Sequence, residues 1–227
     1  MHFHLPKPLH GWRQFAGEVA IIVLGVLIAL GAEQVVETWH WRGQVNEFRH
    51  AVDDEVAANL ATYQYRLSQG DCVTKRLADL QRWHDAAQGG TILPMTGEIG
   101  RPSIVTIKTT TWESRGEIMS HMPLDQRLNY AAIYNGFENV RSVMLEERDV
   151  WLDLAAFNKI ARPSADILAR MNALLYRASV LDRILRGNWR QSHDRVVKLG
   201  IRPGFGTSQP YIPPPDPQFC KPILRGA

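Results

Sequence analysis

Between Val19 and Ala32 the chain carries fourteen apolar residues with no polar break. With its flanks the segment runs from Phe15 to Val36, 22 residues in which only Glu18, Glu33 and Gln34 are polar. Wound as a helix it reaches about 33 Å, enough for a hydrocarbon core of about 30 Å. Three readings compete for it. A buried core helix would suit the shortness of the strict run and the charge at Glu18. A cleaved signal peptide would suit Ala29-Leu30-Gly31, which has a small residue on each side of a larger one. The third is a retained single-pass anchor, favoured because the tail before the run is long for a signal sequence. The helical pattern also continues through the cleavage candidate into Glu33-Gln34-Val35-Val36-Glu37-Thr38-Trp39.

Lys and Arg set membrane orientation. Lys7 and Arg13 precede the segment, whereas the first cations after it are Arg42 and Arg49. The short tail is therefore expected in the cytoplasm and everything from about residue 40 onward outside it. Trp12 and Phe15 at one end, Trp39 and Trp41 at the other, occupy positions where amphipathic rings favour the membrane boundary. Gly25, Ala29 and Ala32 share one helical face, with Glu18 and Glu33 on the same side. Small residues so spaced let two helices approach closely in lipid, and each Glu costs less against a partner than against lipid. The alternative is that Gly and Ala are simply common in membrane helices and both Glu side chains reach the headgroups.

About 185 residues remain beyond the segment, enough for one domain with a real core. The net charge of +3 is dispersed, with no basic stripe that would suit nucleic acid. The two cysteines, Cys72 and Cys220, are too far apart for a zinc motif. A disulfide between them is the simple reading in an oxidising compartment, and two free thiols the alternative.

Apolar positions Val45, Phe48, Val52, Val56, Leu60, Tyr63 and Leu67 predict an amphipathic helix continuing from the membrane segment. Gly70-Asp71 reads as a turn. Val73, Leu77, Leu80 and Trp83 then mark a shorter helix that Gly89-Gly90 stops. Residues 91–111 lose the pattern: Pro94, Gly97, Gly100 and Pro102 mark loops, and Ile104-Val105-Thr106-Ile107 has strand chemistry without an evident partner. A short helical piece follows around Trp112 to Met119. Pro123 opens a long helix with Leu124, Leu128, Ala131, Tyr134, Phe137, Val140, Met144, Trp151 and Leu154 on its apolar side. After Arg162-Pro163 a second long helix carries Ile167, Met171, Leu174, Ala178, Leu181 and Leu185 at near-heptad spacing, ending near Leu199-Gly200. Pro210, Pro213, Pro214, Pro215 and Pro217 forbid regular structure in the tail. The expected fold is all-α: a single N-terminal transmembrane helix continuing into an extracytoplasmic antiparallel helical bundle, with an irregular crossover and a proline-rich C-terminal tail. Its divisions are a cytoplasmic tail at 1–14, a membrane helix at 15–37, a helical domain at 38–202 and an extended tail at 203–227.

At Gly17-Glu18-Val19-Ala20-Ile21-Ile22-Val23-Leu24-Gly25-Val26-Leu27-Ile28-Ala29-Leu30 the chain resembles a group of uncharacterised bacterial single-pass inner-membrane proteins. In these a Gly-Glu pair precedes a run like "IIVLGVLIAL" and a polar, Trp-containing stretch follows. Thr111-Trp112-Glu113-Ser114, Gly116, Leu124 and the helix with Tyr134 are further points of similarity. The resemblance implies a helical extracytoplasmic part, here periplasmic, and no established activity; it carries over no catalytic residue.

Candidate chemistry is sparse. Glu37-Thr38-Trp39-His40 has the Glu-x-x-His spacing of di-metal bundles, but no second such pair exists, Glu117 and His121 being four apart. His50, Asp53 and Asp54 share a face that reads more simply as solvated. His2, His4 and His10 crowd a tail expected to be disordered. No GxSxG or comparable nucleophile setting occurs, and Gly204-Phe205-Gly206 lacks the context of a phosphate loop. Trp112, Trp151 and Trp189 read as core or groove aromatics. Arg141, Arg148, Arg170, Arg177, Arg183, Arg186 and Arg190 could form an anion-binding face, but read more simply as a solvated exterior with Glu146, Glu147 and Asp182 as counter-charges. The expected function is therefore non-enzymatic: an interaction or scaffold module of the bacterial inner membrane, with no cofactor and no nucleic acid. Its partners would be the bilayer and another protein, or a second copy, through the membrane helix. A ligand-sensing bundle is the alternative, and a metal-dependent enzyme ranks last.

Overall fold

The computed structural model describes residues 11–103, 105–204 and 216–224. The first helix, α1 (Trp12–Ser68), runs unbroken for 57 residues from the apolar segment into the core. Gly43 does not interrupt it, since its flanks are strong helix formers and nothing crowds it. The apolar part is exposed along its whole length, while Phe48, Val52, Val56, Leu60 and Tyr63 are buried. One helix therefore carries both a bare apolar stretch and a face of the core.

The chain bends at Gln69, and α2 (Gly70–Gln88) follows at once. Gly70 opens this helix rather than a free turn. A Cβ there would stand 2.8 Å from the Arg186 guanidinium, so a larger residue would oblige that side chain to move. At the other end Gly90 adopts φ +84°, the left-handed conformation that ends a helix at little steric cost in glycine. Two short helices, α3 (Thr110–Glu113) and α4 (Ile118–His121), precede the long α5 (Leu124–Ala155), which a 3₁₀ turn at Ala156–Lys159 extends. The last helix, α6 (Ala165–Lys198), starts where the Ser164 hydroxyl accepts from Ile167 N–H, and ends with Arg195 and Lys198 complementing its dipole.

Contacts fix the directions. Tyr63 donates to the Leu185 carbonyl and Arg66 pairs with Asp182, so α1 and α6 run antiparallel. Arg195 donates to the Ala132 carbonyl, which places the end of α6 beside the start of α5. Tyr130 bonds Asp53, Tyr134 bonds Glu55 and Glu147 bonds Arg66, so α1 and α5 are parallel. The expectation of a purely antiparallel bundle is corrected at this pair. Residues 89–123 bring the chain back down the bundle before α5 begins, and so α5 must climb again.

Tyr134, Phe137, Val140, Met144, Trp151 and Leu154 are buried as expected, and so are Met171, Leu174, Ala178, Leu181 and Leu185 of α6. Leu124 and Leu128 are not: they are 60% and 61% exposed, and Tyr130 and Ile133 take the buried positions. Because the end of α6 reaches only to about Ala132, the first two turns of α5 project past it. Among the described residues there is no strand, only an isolated bridge between Met95 and Leu224. Val105 and Ile107 are buried, and Ile104 lies outside the described residues.

Candidate functional site

Glu55, Asn59, Thr62 and Arg66 of α1 and its C-cap residue Gln69 recur at steps of three and four, forming a polar stripe beside the apolar one. All but Glu55 are buried, and Glu55 is half-buried. A crossover without strands still has backbone groups to satisfy, and this stripe supplies their partners. Gln69 Oε1 accepts from Ser103 N–H at 2.8 Å. The Asn59 amide pairs with Lys108 on both sides, donating to its carbonyl at 2.6 Å and accepting from its N–H at 2.8 Å. Glu55 accepts from Thr111 N–H at 2.9 Å, from the Thr110 hydroxyl and from Tyr134 at 2.7 Å. Still lower, His121 stacks on Trp41 with ring centroids 3.7 Å apart. The crossover thus descends along α1 in register, tied by side chains where a strand partner would otherwise be needed.

Burial raises the Glu55 pKa, but the hydrogen bonds from Thr111, Tyr134 and Thr110 together outweigh it and hold the carboxyl below its ordinary 4.5. The folded state therefore gains stability from Glu55 that is fully present above about pH 4.5 and lost as pH falls through the lower folded value. A Glu55→Gln variant is expected to lose about 1 kcal/mol at pH 7, with a narrower gap to the wild type at pH 3. Urea unfolding at the two pH values measures this; a gap that stays constant would refute it.

At the centre of the stripe Arg66 lies 2% exposed. It forms a two-point pair with Glu147 of α5, Nε to Oε2 at 2.8 Å and Nη2 to Oε1, while Nη2 also reaches Asp182 Oδ1 of α6 at 3.2 Å. Asp182 Oδ2 accepts from Arg186 Nε at 2.7 Å, and Arg186 Nη2 donates to the Gly70 carbonyl and the Thr74 hydroxyl of α2. One charge network therefore ties α1, α2, α5 and α6. Burial lowers the Arg66 pKa, but Glu147 and Asp182 more than offset it, so the guanidinium stays charged. Glu147 and Asp182 correct their reading as exterior counter-charges, whereas Glu146 does pair at the surface with Arg177 at 2.8 Å. The sequence held the signal. Glu147 sits between Met144 and Trp151, and Asp182 between Ala178 and Leu185, all at helical spacing on apolar stripes.

A second buried cation, Arg76, sits in the apolar stripe of α2 between Val73 and Leu80 and is 1% exposed. It donates to the carbonyls of Glu98, Gln218, Phe219 and Lys221 at 2.8–3.1 Å, and its guanidinium lies 5.3 Å from the Phe219 ring centroid. This seats the C-terminal segment on α2. Cys72 and Cys220 are bonded, with Cα atoms 4.6 Å apart. Phe219, Ile223 and Leu224 are buried, Phe219 edge-on to Trp151. Within the expected 203–227 tail, residues 205–215 and 225–227 lie outside the described residues.

The other sequence candidates scatter. Gly25, Ala29 and Ala32 are exposed on the bare part of α1, and nothing lies within 4 Å of a Cβ built on Gly25. Glu37 accepts weakly from Trp41, and His40 pairs with Gln44. His50 and Asp54 are exposed, while Asp53 accepts from Tyr130 at 2.6 Å. Trp112 stacks on Tyr134 and Trp189 packs against Tyr63. Among the described residues no three His, Cys, Asp or Glu side chains gather as a metal set; His2, His4 and His10 lie outside them. Compared with family models, characterised proteins and solved structures, the chain matches none.

Proposed function

We propose that this chain is a non-enzymatic helical interaction module held in a bilayer by α1 and engaging another protein, or a second copy, beside the membrane. The observation that carries this reading is the bare apolar stretch of α1. Its 18-residue window has a mean hydropathy of 2.4 and is 0% buried by the rest of the chain. Leaving that much apolar helix in water is unfavourable by about 25 cal/mol per Å², so lipid or protein must cover it. A core helix of a soluble domain would be covered by its own chain. Continuity into the bundle favours retention over cleavage, since the same helix supplies Phe48 to Tyr63 of the core. The cation distribution favours a cytoplasmic N-terminus, and the Cys72–Cys220 bond suits an oxidising compartment such as the bacterial periplasm.

Alkaline carbonate extraction and crosslinking in the native membrane, followed by mass spectrometry, test the two halves of this reading. The protein is expected to stay with the membrane, with a mature N-terminus upstream of Phe15, and to yield a crosslinked species. Gly25→Leu should leave insertion intact while reducing that crosslink several-fold, because Leu favours lipid but holds helices apart. An N-terminus at Ala32 would replace the anchor with a signal peptide. Recovery of monomer alone would remove the partner.

One observation favours a ligand-sensing bundle as a second reading. A groove of about 90 Å³ opens between α5 and α6 at Gly136, lined by Ile133, Phe137, Asn139, Asn188, Gln191 and Ser192. It admits only a few heavy atoms, well short of ordinary small-molecule pockets. A wider cleft of about 490 Å³ lies between residues 96–100 and 216–223, so the anchor reading leads on the bare helix and not on the want of a pocket.

A further inference from the structure

The Arg66 network leaves donors over. Arg66 Nη1 and Trp151 Nε1 are both buried without a protein partner, and so is Gln69 Nε2, whose carbonyl oxygen is taken by Ser103. Arg66, Trp151 and Ser103 line one small cavity between α1, α5 and the crossover, which offers about 10 Å³ to the centre of a water-sized sphere. Three further charged residues line it: Arg101, Arg148 and Glu147. Of the three guanidinium groups there, Arg66 is held by Glu147 and Asp182 and Arg148 pairs with Asp149, while Arg101 has no ion pair among the described residues.

We propose that this cavity is a binding site for one small monovalent anion of chloride size, held by Arg66 Nη1 and Trp151 Nε1. Buried N–H groups left unpaired are costly, so a site with two of them selects an occupant that accepts without needing to donate. Water accepts two bonds but must also place two hydrogens, and the one lining carboxylate already takes two from Arg66. A halide has no hydrogens to place, and the charge of Arg101 on the lining lowers the cost of burying it. Occupancy would join α1 and α5 to the crossover at Arg101-Pro102-Ser103, above its ties to Asn59 and Glu55.

The test is thermal unfolding of the full chain in detergent micelles at constant ionic strength, exchanging gluconate, which is too large to enter, for chloride. The wild type is expected to show a midpoint that rises with chloride and saturates. Trp151→Phe keeps the ring but removes the N–H, and should weaken the apparent affinity about tenfold, equivalent to one hydrogen bond of about 1.4 kcal/mol. Arg148→Ala, at the half-exposed rim, should weaken it less and fold normally. A wild-type midpoint indifferent to chloride would overturn the proposal and leave water as the occupant. An equal, unsaturating response in wild type and Trp151→Phe would overturn it too, as a general salt effect.

Discussion

Replacing Glu147 by Ala is expected to cost the folded state about 3–5 kcal/mol, because it strands the buried Arg66 guanidinium. Arg66 is 2% exposed, and arginine cannot shed its proton at any pH where the protein folds. Glu147 supplies both of its close acceptors, and Asp182, the remaining carboxylate, is already committed to Arg186 at 2.7 Å. Two comparisons make the test specific. Asp182→Ala should cost less, since it removes a single 3.2 Å contact from Arg66 and frees an Arg186 side chain that is 44% exposed. The pair Arg66→Met with Glu147→Leu should recover much of the loss, as removing both charges leaves no ion to desolvate. Urea unfolding of the full chain in micelles measures all three. A loss under about 1 kcal/mol for Glu147→Ala would mean that water reaches Arg66 and that the network is no keystone.

The elements of this fold were legible wherever a single helix face decides them. The α1 stripe from Val45 to Leu67, the stop at Gly89-Gly90 and the near-heptad of α6 are local patterns, and each survives into the structure. What stayed hidden depends on pairing across the chain. Leu124 and Leu128 continue the α5 pattern, yet only the reach of α6 shows that nothing covers them. Asn59 and Lys108 are 49 residues apart, and no periodicity joins a helix amide to a loop. The polar stripe itself was visible in the spacing of Glu55, Asn59, Thr62, Arg66 and Gln69. Its meaning requires knowing that Ser103, Lys108 and Thr111 follow one another down it. The charged pair was obscured differently: Glu147 follows Glu146 and precedes Arg148, so the acidic residue on the buried face hides in a run of exterior charge. The comparison of neighbours at three and four positions, Met144 and Trp151, separates the two.

Breaking the bond between Cys72 and Cys220 is expected to have the other large effect. The pair closes a span of 148 residues, for which chain entropy alone allows up to about 5 kcal/mol, with measured values commonly lower. The native side of the balance matters as much. Without the bond the C-terminal segment is still seated by Arg76, which donates to Gln218, Phe219 and Lys221 carbonyls, and by the burial of Phe219, Ile223 and Leu224. Asp79 also accepts from Ile223 N–H at 2.9 Å. The paired substitution Cys72→Ser with Cys220→Ser should therefore lower stability by about 2–4 kcal/mol while leaving the segment docked. Adding Arg76→Leu should release it. Four carbonyls would then lose their donor together, and the loop-closure cost would no longer be offset by the crosslink. Hydrogen exchange at residues 218–224 distinguishes the two states: protected in the double variant, exchanging freely in the triple. Free exchange already in the double variant would assign the whole of the docking to the disulfide and reduce Arg76 to a bystander. Thiol labelling of protein from intact cells adds the compartment, because a domain outside the cytoplasm should present neither cysteine until a reductant is added.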